Sequence, residues 1–131
     1  MANSKTVGDT SEAKVLARFI ELGWGVMIPF GDNLRYDLVL DRGNGLERVQ
    51  VKTAQYKCGT IRFRSCSQRN RTNIKIKYNG QADIFAIYCA YTGNVYLIDV
   101  NETNNYELSL RIESSKNNQS KHIRWASNYA I

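Results

Sequence analysis

Proline occurs once in these 131 residues, histidine once and cysteine three times. Each scarcity excludes something. A lone histidine, His122, argues against histidine-based one-metal nucleases and against triad hydrolases, and it reads as a surface or cap residue. Cys58, Cys66 and Cys89 cannot all pair and form no C-x-x-C, so a reduced, intracellular (cytoplasmic) protein without structural zinc is expected. No run approaches the roughly 18 apolar residues of a membrane helix. The start, Met1-Ala2-Asn3-Ser4-Lys5-Thr6, has no apolar stretch and does not read as a signal peptide. No Gly-rich phosphate loop, internal repeat, low-complexity tract or Pro/Ser linker interrupts the chain, so residues 1–131 read as a single domain. Hydrophobic residues make up 43% and aromatics 11%, enough for a real core and too many for disorder.

Positive charge is present, and it is local. The formal net charge is +6. Residues 42–80 carry ten Lys/Arg and one acid, Glu47, a net +9, whereas residues 1–41 carry four against six and residues 81–131 four against five. A solvated face usually mixes both signs. A one-sign segment in a balanced chain points to a polyanion, and nucleic acid is the natural one. Within a basic segment at about 56–80, the candidate DNA contacts are Lys57, Arg62, Arg64, Arg69, Arg71, Lys75 and Lys77. Arg69-Asn70-Arg71-Thr72-Asn73 offers guanidinium and amide groups suited to purine edges, although phosphate contact is the blander role for any single lysine.

Patterning predicts the elements. Asp9-Thr10-Ser11-Glu12 looks like a capping box, followed by Val15, Leu16, Phe19 and Ile20 at helical spacing and stopped by Gly23. Strands are expected over Trp24–Phe30, Arg35–Leu40, Arg48–Ala54 and Thr60–Ser65, the last with Ile61 and Phe63 on one face and Arg62 and Arg64 on the other. Residues 67–77 read as a loop or extended arm. Ile84–Ala90 is continuously apolar, as a strand covered on both faces would be. Val95–Val100 follows a Thr92-Gly93-Asn94 turn and suits a core or an interface, and a short helix is expected near Ile123–Tyr129. This order gives an α/β (α+β) fold with a mixed β-sheet flanked by helices.

The hairpin from Arg35 to Ala54 carries the chemistry. Residues two apart on a strand share a face, so Gln50 and Lys52 point one way and Val49 and Val51 point into the core. A turn centred on Gly43-Asn44 sets Asp37 opposite Gln50; one centred on Asn44-Gly45 sets it opposite Lys52. Both gather Asp37, Gln50 and Lys52 on one face within roughly 5–7 Å. Asp37 and the Val51 carbonyl offer oxygen ligands to a hard divalent cation. Glu12, at the tip of the preceding helix, can reach the same place. Lys52 can position or deprotonate a water, or stabilise charge developing on a phosphate. Alone, an Asp37–Lys52 surface ion pair worth about 0–1 kcal/mol would explain the spacing equally well. The basic segment immediately after it favours phosphodiester chemistry.

At these residues the sequence resembles the PD-(D/E)XK nuclease superfamily, whose core is a helix carrying an acid, a hairpin with Asp, and an E-x-K strand end. The matching residues are Glu12, Asp37 and Gln50-Val51-Lys52. Its small cyanobacterial group I intron homing endonucleases also carry Q-x-K, and Ala82–Tyr88 and Gln119–Ala126 look like that group too. The likeness spans nearly the whole chain. It implies a restriction-endonuclease-like core and a site-specific, Mg²⁺-dependent double-strand DNA endonuclease, with Mn²⁺ able to substitute. Glu12, Asp37, Gln50 and Lys52 would be catalytic, and Asp37, Glu12 and the Val51 carbonyl would hold metal. Double-strand cleavage by so small a subunit requires two active sites, so the resemblance implies a homo-oligomer, a dimer at least and often a tetramer. Two departures stand out. Gln50 replaces the acid before x-K, keeping an oxygen but losing a charge, and Tyr36 replaces the proline before the aspartate. A four-way-junction resolvase and a catalytically inactive DNA-binding protein of the same fold remain the alternatives.

Overall fold

The computed structural model describes residues 3–68, 73–103, 105–114 and 123–131. Among these, one α-helix packs on a mixed seven-stranded sheet, and two short strands form a separate ribbon.

Helix α1 spans Ser4–Glu21. Its cap is Asn3, whose side chain accepts from the Thr6 amide at 2.9 Å. The Asp9–Glu12 capping box is therefore wrong, and Glu12 lies in mid-helix rather than at its tip. The polar opening turns, with Gly8 among them, hide the helix from a search for apolar periodicity. One of their residues is nonetheless buried: Ser11 is 1% exposed and shares a 2.5 Å hydrogen bond with Thr53. Val15 and Phe19 form the buried stripe, while Ile20 is 61% exposed.

Strand β3 (Leu46–Lys57) is the spine of the sheet. Its first half pairs antiparallel with β2 (Leu38–Asp41), itself edged by β1 (Gly25–Met27). Its middle pairs parallel with β7 (Ile84–Cys89), and its end pairs antiparallel with β4 (Thr60–Arg64). Beyond β7 lies β8 (Asn94–Asp99), and beyond β4 lies β9 (Glu107–Arg111), a strand that patterning did not reveal. The β2–β3 register sets Leu38 against Val49 and Asp41 against Leu46. That is the Gly43-Asn44-centred alternative, reached through four loop residues instead of two. Gly43 and Gly45 there adopt φ of 100° and 94°, which side chains disfavour. Arg48 and Asp83 lock the parallel register. Arg48 donates to the Asp83 carboxylate through its backbone N (2.7 Å), Nε (3.1 Å) and Nη2 (3.1 Å), just before Val49 meets Ile84.

Core residues lie on both faces of β3 and β7. Val15, Phe19, Leu38, Leu40, Val49, Val51 and Ala86 pack on the helix side. Ala54, Ile61, Phe63, Phe85, Ile87, Ile98 and Leu110 pack on the other. As expected, β7 is covered on both faces and β4 alternates Ile61/Phe63 inward with Arg62/Arg64 outward.

Three expectations change. Residues 67–77 are not only loop: β5 (Cys66–Gln68) and β6 (Lys75–Lys77) form an antiparallel ribbon. The C-terminal helix is a single 3₁₀ turn, Ala126–Asn128. From it, Tyr129 accepts from the Leu97 amide at 3.0 Å and Ile131 donates to Val95 at 3.1 Å, so the β8 edge is paired within the chain. The sheet is accordingly flanked by one α-helix among the described residues, and residues of β4 and β9 complete the second core.

Candidate active site

Strand β2 begins at Leu38, so Asp37 stands just beyond its end. The pairing nevertheless extends through it. The Asp37 amide donates to the Val49 carbonyl at 2.8 Å, and its Oδ2 accepts from the Val51 amide at 2.9 Å. The carboxylate thus takes the place of the next β2 backbone group. In a strand the N–H and C=O of one residue face the same edge, so the Val51 carbonyl also faces the edge that β2 has vacated. Gln50 and Lys52 point to the opposite face from Val49 and Val51, as the alternation requires. Gln50 Nε2 reaches the Val51 carbonyl at 3.4 Å.

Electrostatics tie Glu12 to this place. Its carboxyl is raised above the ordinary 4.5 by burial first, then by the charges of Asp37 and Asp9. It lines a small hollow with Ala13, Leu16, Ile28 and Leu38, whose apolar walls supply that burial. Asp37 is raised above 3.8 chiefly by burial, against the Val51 hydrogen bond and the Lys52 charge, which lower it. Two partly buried carboxylates, with the charge of Asp37 raising Glu12, stand with the Val51 carbonyl and the Gln50 side-chain amide, four groups that can each offer an oxygen. Such a set fits a hard divalent cation, which would relieve the repulsion. Among the described residues no group of three His, Cys, Asp or Glu is placed to hold a metal, so the fit depends on the Val51 and Gln50 oxygens.

Lys52 is half-buried. Its Nζ donates to the Tyr78 hydroxyl at 3.1 Å and to the Cys66 carbonyl at 3.3 Å. Lys52 also lines a cleft of about 490 Å³ with Thr53, Lys57, Arg62, Arg64 and Glu107. Three of the proposed DNA contacts, Lys57, Arg62 and Arg64, therefore share one concavity with the candidate catalytic lysine. Lys75 and Lys77 are placed elsewhere, on the ribbon, with their ammonium groups 5.2 and 5.3 Å from the Tyr106 ring centre. Arg69, Arg71 and His122 lie outside the described residues.

Sequence reasoning missed two residues here. Arg35, two positions before Asp37, binds the ribbon, donating to Ser67 Oγ at 2.8 Å and to the carbonyls of Ile76 at 3.2 Å and Lys77 at 3.3 Å. Tyr78 lies in the basic segment but is 5% exposed and packs edge-on against Phe85. Neither carries a local sequence signal, because both act through residues distant in the chain.

Comparison with known proteins agrees with the fold. The profile of the PD-(D/E)XK endonuclease family matches residues 2–131. Among solved structures, a bacterial homing endonuclease, I-Ssp6803I, is 28% identical, with a TM-score of 0.71 over 99% of this chain and 88% of that one. No curated protein matches significantly.

Proposed function

The chain belongs to the PD-(D/E)XK endonuclease family, and from that premise we propose that it is a site-specific, Mg²⁺-dependent double-strand DNA endonuclease of the homing type. The observation that carries this reading is the Asp37–Val51 bond at the end of β2, with Lys52 next along β3 opening on a basic cleft. Asp37, the Val51 carbonyl and Glu12 hold the cation, Mg²⁺ or a substituting Mn²⁺. When bound, the cation supplies an acidified water and neutralises phosphate charge. Gln50 adds a neutral oxygen, which weakens the site relative to a third carboxylate. The Lys52 ammonium stabilises charge that develops on the phosphate. Lys57, Arg62 and Arg64 grip the backbone along the cleft, and Lys75, Lys77 and the arginines between β5 and β6 extend that grip.

Each chain contributes one nuclease domain, so cutting both strands requires a homo-oligomer, a dimer at least. The bacterial homing endonuclease of similar structure supports the homing assignment over the resolvase alternative. No described helix is long and apolar enough to cross a membrane, and the three cysteines are free, which supports action on DNA in a reducing compartment.

Incubation of a randomised duplex library and of a four-way junction, each with Mg²⁺ or with chelator, tests the reading. The expected result is metal-dependent double-strand breaks at a recurring sequence. Cleavage of junctions alone would replace homing with resolution. Tight binding with no cleavage of any DNA would leave only a DNA-binding protein.

A further inference from the structure

Among the described residues, both hydrogen-bond acceptors of the Lys52 ammonium come from one segment. The Cys66 carbonyl opens β5 and the Tyr78 hydroxyl follows β6, so the basic ribbon supplies them at its two ends. Tyr78 itself is held firmly. Its ring lies against Phe85 with centres 5.5 Å apart, and the Arg35 guanidinium sits 4.0 Å above its centre. Its carbonyl accepts from the amides of Gln81 (2.8 Å) and Ala82 (3.0 Å), which turn the chain into β7. Arg35 in turn clamps the ribbon through Ser67, Ile76 and Lys77, and reaches Gln81 Oε1 at 2.8 Å.

We propose that Tyr78 is a positioning residue for the catalytic lysine: clamped by Arg35 and Phe85, its hydroxyl fixes Lys52 Nζ and makes the seating of the β5–β6 ribbon a condition of catalysis. The inference rests on the reading of Lys52 as the group that stabilises the reacting phosphate. A free lysine side chain has several rotatable bonds and loses rotamer entropy when its ammonium is fixed. An ammonium that must meet a transient charge within a fraction of an ångström gains from rigid acceptors that have already paid that ordering. Tyr78 is too buried to touch DNA, so it acts only through Lys52. The ribbon that carries the basic residues thereby connects DNA engagement to the lysine.

The test is Tyr78→Phe, which keeps the ring, its Arg35 stack and its packing but removes the oxygen. Two readouts are taken on the full chain: single-turnover cleavage alongside DNA affinity, and solvent exchange of the Lys52 ammonium in ¹⁵N-lysine spectra without DNA. Expected is a loss of about tenfold in the cleavage rate constant with affinity held within about twofold, because one hydrogen bond to a charged group is removed where it matters only to the chemistry. The Lys52 ammonium should also exchange faster in the variant. Wild-type cleavage rate in Tyr78→Phe, or unchanged ammonium exchange, would overturn the proposal. The wild-type protein and Asp37→Asn run in parallel: no cleavage by the wild type would refute the nuclease reading, whereas ammonium exchange would still decide whether Tyr78 holds Lys52.

Discussion

The Val51 amide donates to Asp37 Oδ2 at 2.9 Å, so a side chain, not a backbone carbonyl, receives the last β3 amide on the β2 edge. This substitution holds the carboxylate in the plane of the sheet, one residue from Gln50 and one from Lys52. Strand geometry faces the Val51 carbonyl toward the same edge. Sheet geometry alone thus brings one carboxylate oxygen and one carbonyl oxygen together, before any ligand is considered.

Burial and neighbouring charge act against ionisation in that arrangement. Burial raises both Asp37 and Glu12, and the charges of Asp37 and Asp9 raise Glu12 further. An acid whose folded-state pKa is raised stabilises the fold below its unfolded pKa, and that contribution is lost as pH rises through the raised value. The unfolded values are near the ordinary 3.8 and 4.5, so the loss falls in the window above them. Glu12→Gln should therefore gain melting temperature over the wild type as pH rises to neutral. Added Mg²⁺ at neutral pH should raise the wild-type melting temperature more than that of Glu12→Gln, and should not raise that of Asp37→Asn. A melting-temperature difference between wild type and Glu12→Gln that is flat with pH would contradict the electrostatic account.

Ser11 and Thr53 set how α1 sits on the spine strand, and Glu12 follows Ser11 directly. Their hydroxyls share a 2.5 Å bond in a place where Ser11 has almost no contact with water. Ser11→Ala should cost about 1–2 kcal/mol by leaving the Thr53 hydroxyl without its partner. A double-mutant cycle with Thr53→Val, read by denaturant unfolding, should return a coupling of about 1 kcal/mol. Coupling near zero would mean the bond does not fix the helix.

The hairpin was legible because strand alternation and a Gly-Asn turn constrain a register tightly, and every residue that defines it lies within about 15 positions. The expectation that Asp37, Gln50 and Lys52 gather there came from that constraint. The start of α1 was not, since Asn3 caps a polar, glycine-containing stretch whose buried residue is a serine matched only to Thr53, far along the chain. Strand β9 escaped for a related reason. Only Leu108 and Leu110 face the core there, too brief an alternation to stand out. The roles of Arg35 and Tyr78 were invisible in principle, because their partners are 32 or more and 26 residues away. Local pattern reveals a strand face; it does not reveal what folds back onto that face.

Gathering Lys57, Arg62 and Arg64 in one cleft has a thermodynamic signature. Each cation that neutralises a phosphate releases counterions, so affinity for duplex DNA should fall steeply with salt on a log–log plot. Replacing Arg62 or Arg64 by Ala should lower the slope by about 1 each. Lys14→Ala should leave it unchanged, because Lys14 lines a different groove beside Ile131. A slope insensitive to both arginines would remove the cleft from the DNA path.

The central claim is that Asp37 belongs to the chemistry and not to DNA binding. The most direct measurement compares wild type and Asp37→Asn in cleavage of duplex DNA with Mg²⁺, and in affinity for the same DNA with Ca²⁺ in place of Mg²⁺. The asparagine is close in size and retains an oxygen that can accept from the Val51 amide, so the hairpin should survive. Cleavage should fall below detection while affinity stays within about threefold. Cleavage by Asp37→Asn at the wild-type rate would contradict the assigned site.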